Sequence, residues 1–208
     1  MFFSFDGIDG AGKSTQIALL VQHLKDAGHK VVTCRDPGST ELGESIRGLL
    51  LGDHQTPISP ISELLLYMAA RAQLVCEVIQ PALEAGQVVV SDRFLLSNVV
   101  YQGHAGGVGV EAAWQIGQVA TGGISPDLTF VLDLSPGAAA GRMDRKLDRM
   151  EQRGDEYRRK LRQGFLEEAD RHPERIVVID ADGTVEQVQA AVRAAAARFL
   201  PVGGQSSD

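Results

Sequence analysis

The chain has 208 residues, of which 44% are hydrophobic and 23% charged, and a formal net charge of −7. Those values suit one globular domain with a substantial core, and the acidic surplus argues against a nucleic-acid partner, which needs a basic face. No apolar run reaches membrane-spanning length, and Asp6 follows the start too closely for a targeting signal, so no membrane partner and a cytoplasmic location are expected.

Phe2-Phe3-Ser4-Phe5 reads as a buried strand, and Gly7 to Ser14 then fits G-x-x-x-x-G-K-[ST]. Ile17, Leu20, Val21 and Leu24 give one face of a following helix that Gly28 stops. Strand, glycine loop and helix is the setting this phosphate-binding motif requires. Backbone N–H groups across Gly7, Ile8, Asp9, Gly10, Ala11 and Gly12, and those opening the helix at Lys13, Ser14 and Thr15, can converge on phosphate oxygens. Lys13 is placed to meet β- and γ-phosphates and the Ser14 hydroxyl to reach Mg²⁺. A glycine turn alone explains the glycines but not Lys13 followed by Ser14. The motif calls for a nucleoside triphosphate with magnesium and leaves kinase, GTPase and motor ATPase open.

Lys30–Cys34 reads as a second strand whose continuation, Arg35-Asp36-Pro37-Gly38-Ser39-Thr40, is a loop at the carboxyl edge of the sheet. Leu42, Ile46, Leu49 and Leu50 form a helical face. Pro60 then starts a long apolar helix to about Gly86, with a kink expected at Pro81. Cys34 and Cys76 lack metal spacing and are both expected as reduced core thiols. Tyr67 and Arg71 share a helix face, and periodicity alone favours a core tyrosine beside a solvated arginine. The continuous run at Val88–Val90 suits a strand buried on both faces, with Asp92 and Arg93 entering the same crevice at its end.

Leu95 to Tyr101 reads as a helix carrying Ser97, Asn98 and Tyr101, with Gln102 just beyond. His104–Gly109 is a glycine-rich loop in which His104 is a loop residue rather than a ligand. Glu111–Thr121 is helical, Leu128–Leu134 a strand, and Ser135-Pro136 a helix start. The arginine-rich segment from Arg142 to Arg162 is either a solvated face or a mobile arginine-bearing flap. Ile176–Ile179 is the last strand, Val185–Leu200 the last helix and Pro201–Asp208 a disordered tail. Five strands alternating with helices predict a doubly wound, parallel α/β fold occupying residues 1–200 as one domain.

Across nearly its whole length the chain resembles the bacterial thymidylate kinase family. The family's G-x-[DE]-G-x-G-K-[ST] stands here as Gly7-Ile8-Asp9-Gly10-Ala11-Gly12-Lys13-Ser14, and its R-E-P-G-G-T as Arg35-Asp36-Pro37-Gly38-Ser39-Thr40. Its F-x-A-x-R-x-Q stands as Tyr67 through Arg71 to Gln73. Its D-R-x-x-x-S-x-x-A-Y-Q-G appears as Asp92-Arg93 with Ser97, Tyr101, Gln102 and Gly103. Asp148-Arg149-Met150-Glu151 and Leu161 to Leu166 resemble the family's lid, expected at about 142–155.

The resemblance implies transfer of the γ-phosphoryl group of ATP to dTMP, with Mg²⁺, by a homodimer. It assigns Asp9 to the sugar 3′-hydroxyl or to organising magnesium, Arg93 to the phosphates, and Asp92, with Ser14, to the metal. It also assigns Tyr67 to stacking on thymine, Arg71 to a thymine carbonyl, and Ser97, Asn98 and Gln102 to the lining of the base site. Tyr101 goes under the deoxyribose, and Arg35, Asp36 and Pro37 flank the acceptor. Three departures from the pattern are Ser39 for glycine, Tyr67 for phenylalanine and Asp36 for glutamate. Ala11 leaves the phosphate loop without an arginine, which resembles the members that supply one from the lid. Arg142, Arg145 and Arg149 share a helical face that Arg153 continues, with Arg142 toward the adenine and Arg145 and Arg149 toward the γ-phosphate. The alternatives are another P-loop kinase of nucleotides or deoxynucleosides, and a GTP switch or regulatory ATP-binding protein whose output is a partner interaction. The switch lacks an N-K-x-D guanine motif, and Asp180-Ala181-Asp182-Gly183 fits D-x-x-G only by composition.

Overall fold

Five apolar runs become five parallel strands in the computed structural model, which describes residues 1–52, 57–142 and 154–200. They are β1 (Phe2–Asp6), β2 (Val31–Arg35), β3 (Val88–Asp92), β4 (Leu128–Asp133) and β5 (Ile176–Asp180), in the order β2-β3-β1-β4-β5. Between them run α1 (Lys13–Asp26), α2 (Glu41–Leu51), α3 (Pro60–Leu74), α4 (Gln80–Glu84), α5 (Leu95–Asn98), α6 (Val110–Thr121), α7 (Pro136–Gly141) and α8 (Asp155–Arg171), and α9 (Val185–Ala197) follows β5. Register aligns the carboxyl ends: Phe5 lies opposite Asp92, and Asp92 opposite Arg35. The loops that leave β1, β2 and β3 therefore open on one crevice, where such sheets bind ligands.

Alternation along β1 sends Phe2 to one face of the sheet and Phe3 and Phe5 to the other. Phe2 and Val89 pack beneath α3 with Leu64, Met68 and Leu74. Phe3 and Val90 join Leu20 and Leu24 of α1, and Val188 and Val192 of α9. Covering both faces is what lets the strands be apolar throughout. Thr184 and Gln187 close a capping box at the start of α9, with Gln187 N–H reaching Thr184 Oγ1 at 3.3 Å and Thr184 N–H reaching Gln187 Oε1 at 2.8 Å.

Four local expectations change. The long helix is not simply kinked at Pro81, because a π turn at Val75–Ile79 widens it just upstream and the Gln80 N–H reaches back to the Val75 carbonyl. Proline lacks the N–H that would continue the ordinary ladder. Cys34 is buried, but Cys76 lies on this π turn and is exposed. Of the four apolar residues expected on one face of α2, Ile46 and Leu50 are buried, while Leu42 and Leu49 stay 47% and 51% exposed. The helix after β3 continues through a second π turn, Val99–His104, so His104 ends a helix instead of sitting in the loop. Residues 143–153 and 201–208, with Arg145, Arg149, Arg153 and the tail, lie outside the described residues.

Candidate active site

The phosphate loop begins with a position only glycine can hold. Gly7 has φ 125°, and a Cβ there would lie 2.6 Å from the Leu132 carbonyl oxygen. The loop then turns into α1, where the buried Lys13 donates from Nζ to the carbonyls of Gly7 at 3.1 Å and Ile8 at 3.0 Å, 3.6 Å from Asp9 Oδ1. Burial, then the neighbouring Arg93 charge, lowers the Lys13 ammonium to about 8. A cavity of about 870 Å³ opens over this loop. Residues Asp9 to Gln16 form its floor, Asp92, Arg93, Arg35 and Arg47 one side, and Arg142 with Ala181, Gly183, Thr184, Val185 and Val188 the other. Arg142 is held there by its guanidinium, which donates to the Ala181 carbonyl at 3.1 Å. Asp92 Oδ1 is buried without a hydrogen-bond partner among the described residues, an acceptor available to a cation near Ser14.

Arg93 stands at the centre. Its backbone adopts φ 67°, a left-handed conformation that costs a non-glycine residue on the order of 1–3 kcal/mol and persists only where neighbours hold it. They do: its N–H bonds the Phe5 carbonyl at 2.9 Å, and its guanidinium donates to Gly7 O at 3.1 Å, Ser97 Oγ at 2.9 Å, Asp9 Oδ1 at 2.7 Å and Tyr101 OH at 3.3 Å. The Ser97 hydroxyl in turn bonds the buried Asp6 carboxylate, whose pKa burial raises to about 6. A smaller cavity of about 110 Å³ lies beyond, lined by Pro37, Leu51, Tyr67, Ser97, Asn98, Tyr101 and Gln102. Asp9, Asp36, Arg47 and Arg93 line both spaces, so two carboxylates and two guanidiniums stand at the junction.

Behind the small cavity runs a buried polar chain. Arg71 Nε donates to Asp36 Oδ2 at 2.6 Å, its NH2 bonds the Asn98 side-chain oxygen, and NH1 donates to the Met68 sulfur at 3.1 Å. Asn98 Nδ2 donates to Gln102 Oε1 at 2.7 Å, and Gln102 Nε2 to Glu63 Oε1 at 2.9 Å. Each amide thus has its orientation fixed by both neighbours. The solvated arginine that periodicity favours does not occur: Arg71 is 1% exposed, stacked over the Phe94 ring at 5.2 Å. It does not line the small cavity, as direct contact with a base would suggest, but stands behind Asp36 and Asn98.

The other expected residues line the two cavities, except that Gly7 and Ile8 lie beneath the loop with their carbonyls on Lys13, and that Arg145 and Arg149 fall outside the described residues. The departure at Ser39 has a backbone meaning, since it sits at φ 63°, where a glycine would be unstrained. Its hydroxyl accepts from Arg35 N–H at 2.8 Å and its own N–H donates to Glu44 at 2.8 Å, which hold the turn. Sequence reading passed over Arg47, whose guanidinium bonds the Pro37 carbonyl at 3.0 Å, and Glu63. Glu63 was signalled by spacing, because Glu63, Tyr67 and Arg71 recur every four residues on one helix face. The segment 181–188 was signalled by topology, as the loop after the last parallel strand at the carboxyl edge.

A long cavity over a phosphate loop, joined through two arginines to a smaller pocket beside an aromatic ring, suits phosphoryl transfer between two bound molecules. The family model described as thymidylate kinase matches residues 5–192. The chain is 46% identical over 202 residues to the thymidylate kinase of Symbiobacterium thermophilum, covering 97% of this chain and 94% of that one. It is 45% identical over 202 residues to the thymidylate kinase of a Synechococcus strain, covering 97% of each. The crystal structure of thymidylate kinase from Ehrlichia chaffeensis superposes with a TM-score of 0.77 at 31% identity, covering 94% of this chain and 98% of that one. The chain belongs to the thymidylate kinase family.

Proposed function

We propose that this phosphotransferase moves the γ-phosphoryl group of ATP onto the phosphate of dTMP, giving dTDP and ADP. The observation that carries the reading is the junction, where Asp9, Asp36, Arg47 and Arg93 line both the cavity over Lys13 and the pocket beside Tyr67. An acceptor phosphate at that junction has its oxygen directed at the γ-phosphorus, and ADP departs into the larger cavity. Catalysis is then largely positioning and charge stabilisation.

In this reading the loop N–H groups and Lys13 hold the β- and γ-phosphates, and Arg142 borders the adenine. Arg93 and Arg47 hold the acceptor phosphate. Tyr67 stacks on thymine, with Asn98 and Gln102 lining the base and Tyr101 under the sugar. Arg71, which stands behind Asp36 and Asn98, would meet a thymine carbonyl by turning NH1 from the weakly accepting Met68 sulfur toward the pocket when the base enters. Asp36, Pro37 and Ser97 shape the same pocket with Arg35 beside it, and Asp9, paired with Arg93, meets the 3′-hydroxyl or helps organise Mg²⁺. Ser14 and the unpartnered Asp92 oxygen would hold Mg²⁺, which neutralises phosphate charge when bound. Arg145 and Arg149 answer the remaining transition-state charge. The chain acts in the cytoplasm as a homodimer, a state supported by the exposed leucines and isoleucine of α2 and α3 (Leu42, Leu49, Ile61 and Leu65).

Single-turnover transfer with γ-labelled ATP tests the reading. Label appearing in dTDP supports it. Label released as inorganic phosphate, with or without dTMP, overturns it.

A further inference from the structure

We propose that Glu168 is a positioning residue for the acceptor pocket, acting through His104 at the end of the π turn that carries Tyr101 and Gln102. The proposal rests on that pocket being the acceptor site. Glu168 is fully buried on α8, lines neither the cavity over the phosphate loop nor the acceptor pocket, and no step of phosphoryl transfer uses it. A buried carboxylate is costly unless its oxygens are met by donors, and an apolar side chain would fill the same space at less expense. Here every donor is present. Glu168 Oε1 accepts from His104 Nε2 at 2.9 Å and from Arg171 at 2.8 Å, and Oε2 accepts from Trp114 Nε1 at 2.8 Å. The donors come from three elements: the π turn, α6 and α8 itself.

The rest of α8 is fitted to the same turn. The Tyr157 hydroxyl donates to the Tyr101 carbonyl at 3.3 Å, and the rings of Tyr157 and Phe165 lie 6.4 and 6.3 Å from that of Tyr101. Gly164 permits the approach, because a Cβ there would come within 3.0 Å of His104 Cγ and 3.1 Å of Val100 Cγ1. A π turn packs less regularly than an α-helix and depends on outside contacts for its register. His104 is the one hydrogen-bonded link from Glu168 to that turn among the described residues, two positions beyond Gln102. Displacing it shifts Tyr101 and Gln102, and with Gln102 the amide chain to Asn98 and Arg71. The ATP cavity shares none of these residues.

The test compares KM for acceptor and for ATP in three variants, each assayed at a temperature where a thermal melt shows it folded. His104→Ala is expected to raise the acceptor KM about tenfold, with the ATP KM within about twofold of wild type. His104→Gln, which can still donate to Glu168, should restore the acceptor KM to within about threefold. Trp114→Phe removes a donor from Glu168 without touching the π turn link, and should lower the melting temperature while leaving acceptor KM unchanged. A parallel rise in both KM values, no rise in His104→Ala, no recovery in His104→Gln, or an equal effect of Trp114→Phe each overturns the proposal. If His104→Ala does not fold, Glu168→Gln, which keeps the volume but places an amide against the donors, carries the same predicted KM split. Turnover of dTMP by the wild type tests the acceptor reading on its own. The variant ratios are measured with whichever nucleoside monophosphate the wild type uses, so the two failures are distinguishable.

Discussion

Replacing Arg71 with alanine strikes the most deeply buried ion pair at the site. Arg71 and Asp36 are 1% and 0% exposed, and Asp36 Oδ1 has no partner among the described residues even in the intact protein. Truncation removes the hydrogen bond and the nearest charge from the carboxylate, leaving only the Arg47 charge to favour it, a loss of about 3–5 kcal/mol when one member of a buried pair is removed. In a domain of this size each kcal/mol corresponds to about 2–4 °C, so the melting temperature should fall by about 6–20 °C. Burial already pushes the Asp36 carboxyl above its usual range, with Arg71 pulling it back, so the variant holds a proton there more tightly still. A carboxyl raised in the folded state loses stability as pH rises, so the deficit should be smaller at pH 5 than at pH 8. The same change should raise the KM for dTMP about tenfold while leaving that for ATP within twofold. Circular-dichroism melts at both pH values and a coupled ADP-release assay measure these effects. In Arg71→Met combined with Asp36→Leu, stability should return but acceptor affinity should not. A melting shift below about 2 °C for Arg71→Ala, or equal changes in both KM values, would refute the reasoning.

Lys13→Ala should lower kcat at least about 10²-fold with the fold intact, since it removes the cation fixed within the loop. In the wild type, kcat/KM for ATP should fall above pH about 8 as free Lys13 loses its proton, whereas kcat at saturating ATP should not follow; parallel profiles would contradict this. Asp6 is raised from 3.8 to about 6 by burial, so wild type should lose up to about 3 kcal/mol relative to Asp6→Asn between pH 4 and 7, read from urea titrations; a constant difference would contradict the assignment. Arg149→Ala or Arg145→Ala should reduce kcat far more than ATP affinity, and preserved kcat in both would remove the lid arginines from the mechanism.

Motif and periodicity made the sheet and the phosphate loop readable because both depend on local chemistry. Glycines at Gly7 and Gly12, Lys13 next to Ser14, and apolar runs of strand length each carry their reason in the residues themselves. The π turns were not readable. Val75–Ile79 and Val99–His104 have ordinary helical composition, and only tertiary contacts choose the wider turn. Periodicity alone pointed the wrong way at Arg71 for a related reason: the partner that buries it, Asp36, is 35 residues away on the loop after β2. Arg47 and the 181–188 segment joined the site through the topology of the sheet edge. The three-residue departure pattern was legible as substitutions, but the meaning of Ser39 needed its positive φ.

The most direct test is an acceptor panel, in which ADP release from ATP is measured with dTMP, dUMP, dCMP, dGMP and AMP at matched concentrations. The highest kcat/KM is expected with dTMP, with dUMP behind it by at least the roughly tenfold that a single methyl group can confer in an apolar pocket, and with the purine nucleotides nearly inactive. Equal use of AMP or dGMP, or ADP release independent of any acceptor, would contradict a pocket built around Tyr67, Asn98 and Gln102 for thymine.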